Sequence, residues 1–393
     1  MHKPPLSSRL RPFTSTIFAE MTALAQRTGA VNLGQGFPDT DGPERMVEVA
    51  STALRNGMNQ YAPGPGVPEL RRAVADHQRE RYGIDLDPDT QVLVTVGATE
   101  AVAASLIALV EPGDEVLLLE PYYDSYAAAV AMAGATRRGV PLAEDPETGR
   151  FGLDVAAVRS AVGPRTRALV LNTPHNPCGA VFTREELTAL AELCRERDLV
   201  VISDEVYEHL VFAPAGHVPI ATLPGMFERT VTISSAGKTF SVTGWKVGWA
   251  SGPAELVAAV RAAKQFMTFV GPGALQFATA HALREERPWV ERLRTDLAGK
   301  QQRLAEGLAE VGFAVRRSEG TYFVCADIRP LGFADGLEFC RQLPELAGVA
   351  AVPVQVFTDD PDRWRHLVRF AFCKRDEVLA EAVSRLGRLR DRA

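Results

Sequence analysis

The sequence predicts an α/β fold, a mainly parallel sheet covered by helices on both faces, followed by a second, smaller α+β domain. Three observations carry that expectation. Helical and strand patterns alternate from Gly66 onward, the signature of parallel strands joined by crossover helices. The segment Glu115–Glu120 has a continuous apolar middle, as a strand buried on both faces requires. After about Pro288 the alternation gives way to one long charged helix, separated strands and a final basic helix.

Taken in order, apolar residues at helical spacing predict a helix over Val67–Tyr82, and the β-branched run Gln91–Val96 predicts a strand. Thr99–Val110 reads as a helix stopped by Glu111-Pro112-Gly113. Strand Glu115–Glu120 is followed by a helix over Ser125–Ala133. The order repeats with strand Thr166–Leu171, helix Thr183–Arg197 and strand Leu199–Ser203, then strands Thr230–Ile233 and Val247–Ser251. Beyond the change of texture come a helix from Pro288 to about Val311 and strands Tyr322–Ala326, Val349–Val352 and Leu367–Phe372. The boundary is expected near residues 285–288. A large domain then spans 46–285, and an N-terminal arm (1–45) packs with a small domain (286–393). Functional groups in such a fold lie just past the carboxyl ends of the strands.

Composition narrows the function. The 393 residues carry 43 Lys+Arg against 49 Asp+Glu, a net charge of −6, which opposes a nucleic-acid-binding role. The longest apolar run, Ala101–Val110, is well short of the about 20 residues that span a bilayer. Met1–Pro12 lacks the apolar segment of a secretory signal, and Phe13–Ala25 reads as a helix. Five cysteines (Cys178, Cys194, Cys325, Cys340, Cys373) form no Cys-x-x-Cys pair. Reduced thiols in the cytoplasm are expected instead of a disulfide framework. Seven histidines include no His-Glu-x-x-His, so no protein-bound metal is expected.

Four motifs sit where the fold places chemistry. Ser234-Ser-Ala-Gly-Lys-Thr239 ends like a phosphate loop, but the glycine that an ATP-binding loop needs five residues before Gly237 is Thr232. Taken alone, Lys238 is a solvated loop lysine. Its small and apolar neighbours favour a shielded amine of lowered pKa, able to form Schiff bases. In Val200-Val-Ile-Ser-Asp-Glu-Val-Tyr207, Asp204 closes a buried strand. It is either a turn or N-cap carboxylate or a buried anion that holds a ring nitrogen protonated, and Tyr207 follows three residues on, pointing the same way if the turn is helical. The loop Leu171-Asn-Thr-Pro-His-Asn-Pro-Cys-Gly179 is rigid and can fix an amide against a ligand. In Gly97-Ala-Thr-Glu100, small residues open a helix whose N–H groups can approach an anion.

Together these motifs resemble the class I aminotransferases of fold type I, which use pyridoxal 5′-phosphate. The resemblance runs from Asn32-Leu-Gly-Gln-Gly-Phe-Pro-Asp39 to Arg369-Phe370. It implies a seven-stranded sheet and a set of residue roles. Lys238 resembles the lysine that bonds the cofactor, and Asp204 the partner of its ring nitrogen. Asn176 and Tyr207 resemble the pair at its ring oxygen, and Tyr123 the aromatic residue stacked on the ring. Gly97, Ala98, Thr99, Ser235 and Lys246 match the phosphate site. Many relatives have arginine at the last position, and the kynurenine-aminotransferase-like branch has lysine, as here. Tyr61 resembles the tyrosine that reaches the phosphate of a neighbouring subunit, so a homodimer with shared active sites is implied. Arg369 resembles the arginine that binds the substrate α-carboxylate, with Asn176, Gly36 and Phe18 nearby. Cis bonds are implied at Glu120–Pro121 and Asn176–Pro177.

The segments Phe323–Phe333 and Arg369–Asp376 are similar to those of actinobacterial N-succinyldiaminopimelate aminotransferases. That implies transfer between the succinylated diamino acid of lysine biosynthesis and 2-oxoglutarate. The alternatives are a broad-specificity kynurenine, glutamine or methionine aminotransferase and a cysteine-conjugate β-lyase. A DNA-binding regulator on the same scaffold is disfavoured by the acidic charge.

Overall fold

The structure, a computed structural model, describes residues 6–392; the first five residues of the Met1–Pro12 segment lie outside it. Seven strands form the main sheet in the order Val92–Thr95, Gly248–Ser251, Thr230–Ser235, Val200–Asp204, Thr166–Asn172, Glu115–Glu120, Thr136–Pro141. All run parallel except Gly248–Ser251, which is antiparallel to both neighbours.

Side-chain alternation sorts the sheet's two faces. Val116, Leu118, Ala168, Val170, Val200 and Ile202 pack under helices Gly97–Leu109, Asp124–Ala133 and Ala254–Lys264. Leu117, Leu119, Leu169, Leu171 and Val201 pack under Val155–Ala161 and Arg184–Glu196. The second helix of that pair starts where Thr183 and Glu186 form a reciprocal capping box.

A four-stranded antiparallel sheet, ordered Ala314–Val315, Phe323–Asp327, Leu367–Ala371, Val352–Pro353, follows the long helix Arg287–Val311. Near the N-terminus, Val31–Asn32 pairs in parallel with Val349–Ala350.

Several elements differ from the sequence expectation. The sheet's edge strand Thr136–Pro141 was not expected. It carries Arg137, Arg138 and Gly139 and buries only Val140, so no apolar run marks it. The expected strand Val349–Val352 is two strands in two sheets, parted at Ala351. The first α-helix is Ile17–Thr28, shifted from Phe13–Ala25 because Thr16 caps it and Gly29, at φ +63, ends it. The final helix, Asp376–Leu386, opens on Asp376 and Glu377 and is not basic over its length. All five cysteines are free and buried. Among the described residues, no helix is long and apolar enough to cross a membrane.

Candidate active site

The carboxyl edge of the main sheet gathers the motifs. Asn172, Asp204 and Ser235 end three adjacent strands. Gly97 follows the strand Val92–Thr95, and Tyr123 lies just past Glu115–Glu120. Gly248–Ser251 runs the other way, so its start, with Lys246 and Val247, arrives at the same edge. These groups line one cavity of about 250 Å³, together with Phe18, Gly36, Ala98, Thr99, Asn176, Tyr207, Lys238 and Arg369.

Lys238 sits in a single helical turn, Ala236–Thr239. Its Nζ donates to Tyr322 Oη at 2.9 Å. Burial brings the amine from its usual 10.5 down to about 8, against the opposing pull of Cys373 and Asp204. Asp204 is 5 % exposed. Its Oδ2 accepts from the Tyr126 hydroxyl at 2.7 Å, and Oδ1 accepts from Val206 N at 3.3 Å. Burial raises its pKa, and the Tyr126 bond opposes that rise. Tyr207 lies in a turn, not a helix, yet faces the same cavity. Burial raises its phenol, as it does that of Tyr123, which is pushed up to about 12.

Arg369 is 1 % exposed. Its Nη1 donates to Asn176 Oδ1 at 2.8 Å and its Nη2 to Gly34 O at 2.9 Å. Nε has no partner. The guanidinium lies 3.9 Å from the ring centroid of Phe323, 5.3 Å from that of Phe18 and 5.6 Å from that of Phe357, a cation–π cage that fixes its plane. Gly36 is required beside it, since a Cβ there would stand 2.6 Å from Phe323 Cζ.

Gly97, at φ +75, opens the 13-residue helix Gly97–Leu109. A Cβ on it would lie 3.1 Å from Lys246 Nζ, so the missing side chain leaves a cradle between a cation and the N–H groups of a helix start. That is an anion site by construction.

The donor set fits pyridoxal phosphate. It offers an amine of depressed pKa, a buried carboxylate for a ring nitrogen, aromatic and amide groups between them, and the anion cradle. Tyr61 is not brought to this cavity. It is 81 % exposed and lies edge-on to Phe269 at 5.3 Å. Glu120–Pro121 and Asn176–Pro177 are cis, as are Thr173–Pro174 and Ala213–Pro214.

Sequence reasoning passed over four residues. Asn172, whose Nδ2 donates to Asp204 O at 2.9 Å and whose Oδ1 accepts from Asn176 N at 2.8 Å, lies inside a motif already singled out. Tyr126 lies in the first turn of the helix Asp124–Ala133, three residues past Tyr123. Tyr322 and Phe323 carry no local signal. A cluster of His77, Glu208 and His209 also forms without a sequence motif. The two Nε2 atoms are 3.0 Å apart, and Arg81 Nη2 stands 2.8 Å from His209 Nδ1. Burial takes His209 down to about 3. Arginine only donates, so neutral His209 accepts at Nδ1 and carries its proton on Nε2, toward His77.

A family model described as aminotransferase class I and II matches residues 28–386. A protein of Mycobacterium tuberculosis named as a probable N-succinyldiaminopimelate aminotransferase is 59 % identical, over 98 % of each chain. The three-dimensional structure of N-succinyldiaminopimelate aminotransferase from that organism superposes with a TM-score of 0.96 at 60 % identity, covering 98 % of this chain and 100 % of the other. A methionine aminotransferase of Escherichia coli is 40 % identical over 97 % of this chain and 98 % of its own length.

Proposed function

The chain belongs to the class I and II aminotransferases, and from that premise we propose that its amino donor is N-succinyl-LL-2,6-diaminopimelate and its acceptor 2-oxoglutarate. The products are the succinylated 2-oxo acid and glutamate, and the reaction belongs to lysine biosynthesis. The observation that carries this reading is a likeness of 59 % spread over nearly the whole of both chains to a relative named for that substrate. The methionine aminotransferase of similar length stands at 40 %, which makes a broad-specificity enzyme the second reading.

The cofactor of this family is pyridoxal phosphate, which supplies an electron sink for the pair left when the substrate Cα loses its proton. In this reading Lys238 Nζ is its point of attachment. Asp204 holds the ring nitrogen protonated, and the Tyr126 hydroxyl and Val206 N–H keep that carboxylate ionised and aimed. Tyr123 covers the ring face, while Asn176 and Tyr207 flank its oxygen. Gly97, Ala98, Thr99, Ser235 and Lys246 hold the phosphate. An unbonded Lys238 amine would take the proton from the substrate Cα and carry it at Nζ. Its lowered pKa keeps a usable fraction unprotonated near neutrality. Arg369 holds the α-carboxylate through its unused N–H groups.

The succinylated substrate has two carboxylates beyond the one at Arg369. Burying them without donors is costly, so that end of the molecule meets basic or amide groups, or water. The exposure of Tyr61 supports a homodimer in which each subunit completes the other's phosphate site, with 46–285 as its cofactor-binding part. We place the enzyme in the cytoplasm, where five free thiols are stable.

The test is kcat/KM measured for the succinylated diamino acid, methionine and kynurenine with 2-oxoglutarate. We expect the first to lead by about a hundredfold or more, a difference of about 2.7 kcal/mol. A lead for methionine or kynurenine overturns the substrate, and pyruvate and thiol release from cysteine conjugates without any acceptor would favour the β-lyase. Sedimentation of the active enzyme as a monomer would remove the role given to Tyr61.

A further inference from the structure

Among the described residues the amine of Lys238 has one hydrogen-bond partner, and that partner lies 84 residues away. Tyr322 is 1 % exposed. A phenol has a single proton, and Tyr322 gives it to the Gly36 carbonyl at 2.6 Å. Its oxygen therefore faces Lys238 Nζ, at 2.9 Å, with lone pairs only. The ring is held independently of the lysine. It stands edge-on to Tyr207 at 5.2 Å and to Phe323 at 4.8 Å. Phe372 N donates to its carbonyl, and the preceding Thr321 is held at φ +66 by a bond from its N–H to Leu210 O. A β-branched residue in the left-handed region persists only where its surroundings over-determine it.

The second end of the chain matters as much. Gly36 belongs to the segment Gly34–Phe37, whose carbonyls take three buried donors. Arg369 Nη2 binds Gly34 O, Tyr322 Oη binds Gly36 O, and Lys374 Nζ binds Phe37 O at 2.7 Å. One stretch of backbone thus carries both the carboxylate anchor and, through Tyr322, the base. The distance between those two groups decides where a bound Cα stands relative to the amine that must reach its proton. A lysine on a flexible four-carbon stem cannot hold that distance unaided.

We propose that Tyr322 is the positioning residue of the Lys238 amine: whenever Nζ is not bonded to the cofactor, the Tyr322 hydroxyl, itself locked to Gly36, holds it at a fixed reach from the carboxylate site. The proposal rests on the aminotransferase reading of Lys238. It adds a consequence for charge. An oxygen acceptor beside an amine favours its protonated form, so removing the hydroxyl lowers the pKa of Nζ.

The test is Tyr322→Phe, which deletes one oxygen and keeps the packed ring. Borohydride treatment of the holoenzyme, followed by mass mapping, first locates the cofactor in both proteins. A label away from Lys238 in the parent enzyme would overturn the underlying assignment, not the role of Tyr322. Both proteins are then loaded with pyridoxamine phosphate, which leaves the lysine free, and Lys238 acetylation by acetic anhydride is followed across pH by mass spectrometry. The expected result is a midpoint lower by about half a unit or more in the variant. In single turnovers, the first-order rate should fall about 10- to 100-fold with the substrate half-saturation changed less than about threefold. An unmoved labelling midpoint, or a rate within twofold of the parent, overturns the proposal. So does a rate loss explained by lost cofactor or weakened substrate binding, which marks a packing role.

Discussion

Arg369→Lys keeps a positive charge and removes a shape, and the structure sets the size of the effect. A guanidinium has five N–H groups. Asn176 Oδ1 and Gly34 O take one each, and Nε is unpartnered among the described residues, which leaves three for a ligand, enough for a two-pronged grip on a carboxylate. A hydrogen bond to a charged group contributes about 1.5–3 kcal/mol, and two contribute about 3–6 kcal/mol, or about 10² to 10⁴ in kcat/KM. Lysine reaches one oxygen at best, so Arg369→Lys should lose about 10- to 100-fold, and Arg369→Gln about 10² to 10⁴-fold. The substitutions also strip a donor from a buried acceptor, Gly34 O, and a half-buried one, Asn176 Oδ1, so cofactor content and Tm are measured alongside. The decisive assay is a single-turnover comparison of an amino acid with the amine that lacks its α-carboxylate. The parent enzyme should prefer the amino acid by the full factor, and the glutamine variant should lose most of that preference. If the variants slow both compounds equally, or if the preference survives, Arg369 does not hold the carboxylate.

Asp204→Asn keeps the shape and deletes the charge, leaving one amide oxygen to accept where two carboxylate oxygens took Tyr126 and Val206; single-turnover rates should fall by about 10² or more, and a near-normal rate would refute the ring-nitrogen role. In Gly248→Ala the new Cβ would stand 2.6 Å from the Gly97 carbonyl carbon and 2.8 Å from Ala98 N. Those backbone atoms cannot swing aside, so a stability loss of about 1–3 kcal/mol and weaker cofactor binding are expected in thermal and absorbance titrations. An unchanged cofactor affinity would show that the cradle is not the phosphate site. Covalent uptake of pyridoxal phosphate by cofactor-free protein needs the unprotonated Lys238 amine. Burial lowers that group to about 8, so the uptake rate should rise with pH through that region; a rise delayed to above pH 10 would mean the amine is not shielded.

The strand ends, the shielded lysine, the buried aspartate and the helix-start glycine were legible in the chain because each is a local pattern. A buried parallel strand is a short apolar run, and the residues just after it in the chain lie at the sheet's functional edge in space. Pairings across long stretches of chain are another matter. Arg369 meets Asn176 across 193 residues and Gly34 across 335, and Lys238 meets Tyr322 across 84. Nothing local distinguishes Tyr322 from a core tyrosine, or Phe323 from any strand phenylalanine, because the contacts of Tyr322 with Lys238 and of Phe323 with Arg369 exist only in the folded chain. The edge strand Thr136–Pro141 escaped for a related reason: half of an edge strand's environment is solvent, so it need not be apolar. By itself the sequence determined which chemistry the sheet edge could host. The tertiary structure alone decided which hydroxyl faces the amine and which three rings enclose the guanidinium, since those distances are set by how the two sheets meet.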